Sequence, residues 1–107
     1  MALDSDTAAL LLAELGNPTR LRIVRLLVRA GDTGAPVGEI QRALAIPAST
    51  LSHHLSHLRQ VALVDQRREG TVLRCHVAYQ RLDALVAFLT AECCIDEHAN
   101  ARRGAPA

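Results

Sequence analysis

Residues 48–60, ASTLSHHLSHLRQ, decide the fold of this 107-residue chain. Leu51, Leu55 and Leu58 recur at i, i+4 and i+7, the spacing of one buried stripe on an amphipathic helix. The opposite face carries polar side chains and no carboxylate, so it can approach DNA without charge repulsion and contact base edges in the major groove. The residues of this helix that we predict to contact DNA are Ser49, Thr50, Ser52, His53, Ser56, His57 and Gln60.

The flanking residues complete a DNA-binding motif. Residues 37–44, VGEIQRAL, predict a short helix, and residues 45–47, AIP, form a tight turn before the next helix. Residues 64–68 and 71–77 then alternate between polar and apolar side chains, with a hairpin turn at Glu69–Gly70. Two helices joined by a three-residue turn and followed by a two-stranded hairpin form a winged helix-turn-helix.

The tip of this hairpin, the wing, carries the adjacent arginines Arg67 and Arg68. Guanidinium groups on a protruding turn can bind DNA phosphates or enter the minor groove. We therefore predict DNA contacts for both, and Arg74 on the outward strand face is a further candidate.

The rest of the chain predicts three more helices. One is capped by the sequence DSDT at residues 4–7, and a second begins at Asn17–Pro18. The last helix runs from residue 80 to about 97. The predicted fold class is therefore mainly α with a β-hairpin wing, with the elements in the order ααααββα. We expect one domain at residues 1–98 and a disordered tail at residues 99–107. The stripe of the last helix comprises Leu82, Val86, Leu89 and Cys93.

Composition excludes several classes of protein. Half of the residues are apolar, which suffices for the core of one domain. Aromatic residues make up only 2%, whereas a protein that binds single strands by stacking needs several exposed rings. No apolar run approaches the length of a membrane span, and the acidic start differs from a secretory signal. We therefore expect a cytoplasmic chain with reduced cysteines and no membrane partner.

The charge is unevenly distributed. Residues 18–81 contain ten arginines and four acids, whereas residues 1–17 contain three acids and no basic residue. The middle of the chain is thus a candidate phosphate-binding surface. The sequence contains neither a nucleophile with a base and an acid nor a phosphate-binding loop, so we predict that it is not an enzyme.

Three segments resemble the ArsR/SmtB family of metalloregulatory repressors. They are residues 15–27 (LGNPTRLRIVRLL), 49–59 (STLSHHLSHLR) and 64–71 (VDQRREGT), and the resemblance spans residues 8–98. It implies a homodimeric winged-helix repressor whose first and last helices form the dimer interface. It also implies an inverted-repeat operator that is released when an inducer binds.

Two sensor sites known in this family are not matched. The arsenic site that precedes the recognition helix has cysteines, whereas this chain has the cysteine-free residues 37–40, VGEI. For the interfacial zinc site, Asp83 matches one ligand, but Leu85 occupies the next ligand position. The inducer must therefore be inferred from other residues.

Three cysteines remain as candidate ligands: Cys93, Cys94 and Cys75. Trivalent arsenic and antimony are thiophilic and need two or three thiolates, and adjacent cysteines supply two of them at little entropic cost. Some arsenic-responsive members of the family carry a similar C-terminal pair. We predict a trivalent arsenical or antimony inducer, with no obligatory cofactor. Two thiolates suffice for a methylated arsenical, and Cys75 as a third would favour inorganic As(III).

Other interpretations remain open. The thiols could instead sense oxidants or reactive sulfur, or the chain could be an inducer-independent DNA-binding or interaction module. Acids near the pair raise thiol pKa and slow oxidation, which favours arsenic. His53 and His57 have a zinc-chelating i, i+4 spacing, but no third ligand lies nearby, so we assign them to DNA contact.

Overall fold

The computed structural model describes residues 2–98, so the predicted tail at residues 99–107 lies outside the described residues. Within that range, three helices and a wing form one compact body, and further helices lie at each end. The α-helices are α1 (Ser5–Leu15), α2 (Pro18–Ala30), α3 (Val37–Leu44), α4 (Ala48–Gln60) and α5 (Tyr79–Thr90). The strands are β1 (Ala35–Pro36), β2 (Val64–Glu69) and β3 (Val72–Val77).

Local capping explains where the first two helices begin. The Asp4 side chain accepts a hydrogen bond of 2.7 Å from the backbone N–H of Thr7. The Asn17 side chain accepts one of 3.0 Å from Arg20 N–H, and Pro18 occupies the first helical turn, where a missing N–H costs nothing. Both helix starts agree with the sequence prediction.

The core lies between α2, α3, α4 and the sheet, and it also includes Ala8 and Leu11 of α1 and Leu85 of α5. The leucine stripe of α4 faces inward as predicted, since Leu51, Leu55 and Leu58 are at most 1% exposed. Outside this core, α1 and α5 present apolar side chains to solvent, with Leu10 61% exposed and Leu89 57% exposed. These apolar faces have no partner within residues 2–98 of one chain.

The wing belongs to a three-stranded antiparallel sheet with the order β1-β3-β2. The predicted order ααααββα therefore lacks a strand in residues 31–36, and the observed order is ααβααββα. This segment contains a 3-10 turn at Gly31–Thr33 and the short strand β1, in which Ala35 pairs with Cys75. A two-residue strand has no alternation to detect, and its existence depends on pairing with β3.

The last helix is shorter than predicted, because α5 ends at Thr90 instead of near residue 97. The Thr90 hydroxyl donates to the Val86 carbonyl at 3.0 Å, and Ala91 leaves helical geometry with φ −58° and ψ 137°. Cys93 consequently lies in a turn after the helix and not on its apolar stripe. Little core lies beneath this end, since Leu85 is the buried residue of α5. Across residues 2–98, every helix is too short or too polar to cross a bilayer.

Candidate nucleic-acid interface and thiol pair

The outer face of α4 is polar and open, as the sequence predicts. Ser49, Ser52, His53, Ser56 and Gln60 are exposed, and their side chains make no hydrogen bonds within residues 2–98. Their donors and acceptors are therefore available to base edges. The remaining two predicted residues of this helix, Thr50 and His57, are half-buried at its edge.

The start of α4 offers a second kind of DNA contact. Pro47 precedes the helix and provides no side-chain cap, and the first hydrogen bond to its carbonyl comes from Leu51 at 3.0 Å. The backbone N–H groups before Leu51 thus lack helical acceptors. Together with the helix dipole, such groups favour a phosphate.

His57 is less free than the sequence suggests, because its Nδ1 lies 3.2 Å from Glu14 Oε1 on α1. The same carboxylate oxygen lies 3.2 Å from Arg20 Nε on α2. Arg20 Nη1 also lies 3.2 Å from Nδ1 of His54, which therefore acts as the acceptor. Burial, and then the Arg20 charge, lower the pKa of His54 and favour its neutral form.

The sequence interpretation missed the role of Arg20, because it assigned the arginines of residues 18–81 to a candidate phosphate-binding surface. The partners of Arg20 belong to α1 and α4, and no periodicity within α2 identifies contacts with other elements. Arg20 positions the edge of α4, the recognition helix of the helix-turn-helix.

The wing presents its two arginines outward, but both lie on strand β2 and not on the turn where the sequence prediction placed them. Arg68 is exposed, and Arg67 is exposed with Nε 3.4 Å from Asp65 Oδ1. The two-residue turn between the strands contains Gly70 at φ +64°, a conformation that glycine adopts without strain. Arg74 is instead held in place, because its Nε donates to Glu69 Oε1 at 3.0 Å and its Nη1 to the Thr33 carbonyl at 3.4 Å.

Cys93 and Cys94 form an exposed thiol pair with their sulfur atoms 3.1 Å apart. The turn that brings them together has positive φ at Glu92 (+61°) and Cys94 (+66°). The hydrogen bond with Cys94, and then the repulsion from its charge, raise the pKa of Cys93. Both thiols are thus accessible, and Cys93 is held mostly as a neutral thiol.

Cys75 occupies a different environment. It is fully buried on the inner face of the wing, where its sulfur accepts a hydrogen bond of 3.5 Å from Gln66 Nε2. Burial raises the pKa of this thiol. Residues 2–98 contain no group of three His, Cys, Asp or Glu residues that could hold a metal ion. A three-thiolate site made from Cys75 and the pair of the same chain is therefore not assembled in this structure, and His53 and His57 likewise have no third ligand.

Comparison with known proteins places this geometry in a family. A family model described as a helix-turn-helix domain matches residues 15–67. The transcriptional regulator YgaV of Escherichia coli is 31% identical over 79% of this chain and 84% of its own length. A putative arsenical resistance operon repressor, ArsR, of Halobacterium salinarum is 36% identical over 82% of this chain and 65% of its own length.

Comparison with solved structures gives the same family. HlyU from Vibrio cholerae superposes with a TM-score of 0.70 at 31% identity, covering 88% of this chain and 99% of its own. A homodimeric winged helix-turn-helix DNA-binding domain from Mycobacterium bovis is described as a possible ArsR-family regulator. It superposes with a TM-score of 0.65 at 30% identity, covering 94% of this chain and 89% of its own. The chain therefore belongs to the ArsR family of winged helix-turn-helix transcriptional regulators, which makes it a homodimeric DNA-binding protein and not an enzyme.

Proposed function

We propose that this regulator is a repressor that binds an inverted-repeat operator and leaves it when a trivalent arsenical binds Cys93 and Cys94. The observation that carries this proposal is the exposed thiol pair with sulfur atoms 3.1 Å apart. A relative from Halobacterium salinarum, named a putative arsenical resistance operon repressor, supports it.

The DNA-bound arrangement that we propose uses the open face of α4 and the wing. In a dimer, two copies of α4 enter successive major grooves about 34–36 Å apart, which requires an operator with two-fold symmetry. The open polar face of α4 reads base edges, and the exposed wing arginine Arg68 binds the backbone. The DNA contacts proposed for Ser49, Thr50, Ser52, His53, Ser56, His57, Gln60, Arg67 and Arg68 follow this division of roles.

The sulfur–sulfur distance favours a pyramidal centre. Two thiolates bound at about 2.3 Å, a typical metal–sulfur bond length, lie about 3.5 Å apart on a pyramidal atom and about 4.6 Å apart on a linear one. The observed 3.1 Å is nearer to the pyramidal value. A linear two-coordinate ion such as mercuric ion would have to separate the sulfurs.

A neutral Cys93 thiol is compatible with the formation of sulfur–arsenic bonds. Each sulfur–arsenic bond forms as one arsenic-bound hydroxide leaves as water with the thiol proton, so no proton is released to solvent. The raised pKa of Cys93 therefore does not prevent binding. Methylarsenite has two exchangeable hydroxides and is saturated by the pair, whereas inorganic arsenite keeps a third. Because Cys75 of the same chain is buried elsewhere, we favour the methylated species. Free thiols require a reducing compartment, which supports a cytoplasmic location.

Release of DNA requires that the inducer bind the DNA-incompetent state of the dimer more tightly than the DNA-binding state. The pair directly follows α5, whose apolar side chains Val86 and Leu89 are exposed and available to a second copy. Arsenic binding at the end of this helix would alter how the two copies pack, and with that the spacing of their recognition helices.

Fluorescence anisotropy of the reduced dimer on its own promoter DNA tests the proposal. We expect methylarsenite to release the DNA from the natural protein and from Cys75→Ala, but not from Cys93→Ser/Cys94→Ser. Arsenite, antimonite, mercuric ion and a persulfide donor complete the titration. Release by the persulfide alone would support the redox alternative, and DNA binding that nothing relieves would support an inducer-independent module.

A further inference from the structure

A groove between α2 and α3 belongs neither to the DNA-binding face nor to the thiol pair. Its volume is about 500 Å³, within the range of pockets that hold small organic ligands. Its floor is apolar, formed by Leu26, Ala30, Ala43 and Leu44, and one wall carries three arginines, Arg22, Arg25 and Arg29.

The three arginines lie on one side of α2 at positions i, i+3 and i+7, so their side chains line about 10 Å of helix. None has a carboxylate within ion-pair distance in residues 2–98, and no acid lines the groove. Three like charges beside an apolar floor repel one another, and a bound anion would relieve that repulsion. Guanidinium groups also match the geometry of carboxylate and sulfonate oxygens.

We propose that this groove binds a small organic anion with an apolar body, the anionic group facing Arg25 and Arg29 and the body covering Leu26 and Ala43. The apolar floor of the groove would contact the apolar body of the ligand, and the arginine wall would bind its anionic group. The ligand would lie against α3, the first helix of the helix-turn-helix. Three residues separate the end of α3 at Leu44 from the start of α4 at Ala48.

The test uses 1-anilinonaphthalene-8-sulfonate and its neutral counterpart N-phenyl-1-naphthylamine, which share one apolar body. Fluorescence titration of the reduced full-length dimer is expected to show saturable sulfonate binding that Arg25→Gln/Arg29→Gln weakens about tenfold. The neutral compound should lose no affinity in that variant. Arg68→Gln, which removes an arginine of the wing, should leave sulfonate binding unchanged.

Ala43→Phe provides a second, uncharged variant, because Ala43 is exposed on the floor and a larger ring would occupy the groove. It should abolish sulfonate binding. The proposal is overturned if the natural protein shows no saturable binding, if Arg25→Gln/Arg29→Gln and Ala43→Phe both retain it, or if Arg68→Gln weakens it equally.

A competing role for these arginines, contact with operator phosphates, has a separate readout. Each phosphate-contacting arginine contributes about one to the slope of log affinity against log salt. We expect Arg25→Gln/Arg29→Gln to leave that slope unchanged, and a decrease of about two would assign the arginines to DNA instead.

Discussion

Oε1 of Glu14, in the last turn of α1, lies 3.2 Å from Nδ1 of His57 on the recognition helix α4. The same oxygen lies 3.2 Å from Nε of Arg20, whose Nη1 contacts His54 on α4. One partly buried carboxylate therefore joins three helices. The orientation of the DNA-binding face depends on α1, a helix that also carries exposed apolar side chains.

Glu14→Gln preserves the size of the side chain and removes its charge. We expect the free energy of unfolding to fall by about 1–2 kcal/mol, between the values typical of exposed and buried ion pairs. For a domain of this size each kcal/mol lowers Tm by about 4–8 °C. Thermal unfolding followed by circular dichroism, at equal dimer concentration, measures the change. The control is Glu39→Gln, an exposed acid of α3, and equal Tm values for the two variants would contradict the prediction.

His54 predicts a pH dependence of stability. Burial and Arg20 lower its pKa in the folded protein below the usual value of about 6.5. As pH falls through 6.5, the unfolded chain binds a proton that the folded chain does not, so stability decreases toward acid. His54→Asn keeps an acceptor for Arg20 but cannot titrate.

Urea unfolding of the natural protein and His54→Asn between pH 5 and pH 8 checks this sign. The variant should lose less stability toward acid than the natural protein. His53→Asn removes only the weaker repulsion that His53 exerts on His54, so it should change the profile less than His54→Asn. A His54→Asn profile that remains as steep as the natural one would refute the assignment.

Much of the fold follows from local sequence signals, because each one acts within a few residues. The α4 stripe and the Asn17–Pro18 cap are of this kind, and the structure matches both. The predicted Glu69–Gly70 turn is also local, but the structure places it one residue later, at Gly70–Thr71. β1 and the end of α5 depend on distant packing instead: Ala35 is a strand residue only because Cys75 lies opposite, and α5 stops where little core remains to cover.

In the candidate site, too, some features follow from local sequence and others depend on contacts between distant residues. Exposure of Ser49, Ser52 and Ser56 follows from one helical wheel, whereas the contact between His57 and Glu14 requires knowing where α1 lies. The pairing of Cys93 with Cys94 is visible in sequence as adjacency. The separation of Cys75 from that pair depends on the tertiary structure and cannot be predicted from the spacing of the cysteines in the sequence.

Gly34 holds β1 against the wing and predicts a steric effect. Gly31 and Gly34 both adopt positive φ, +72° and +69°, with ψ near −160°, so an alanine at either position costs about 1–3 kcal/mol of backbone strain. A Cβ at Gly34 would additionally overlap the Cys75 carbonyl oxygen and lie 2.7 Å from the His76 ring, whereas a Cβ at Gly31 meets nothing. We expect Gly34→Ala to destabilise the protein by about 2 kcal/mol more than Gly31→Ala. Urea unfolding measures the difference, and equal losses would show that the close approach is easily relaxed.

Two wing arginines differ in their contacts and should differ in their effect on DNA binding. Arg68 is exposed without an ion pair in residues 2–98, whereas Arg74 is engaged by Glu69 and the Thr33 carbonyl. Arg68→Gln should weaken operator and unrelated DNA alike and reduce the slope of log affinity against log salt by about one. Arg74→Gln should leave that slope unchanged, because its guanidinium already has protein partners. Anisotropy titrations between about 50 and 200 mM salt measure both slopes. If Arg74→Gln reduced the slope and Arg68→Gln did not, Arg74 would have to leave Glu69 on binding, and the wing would change conformation on DNA.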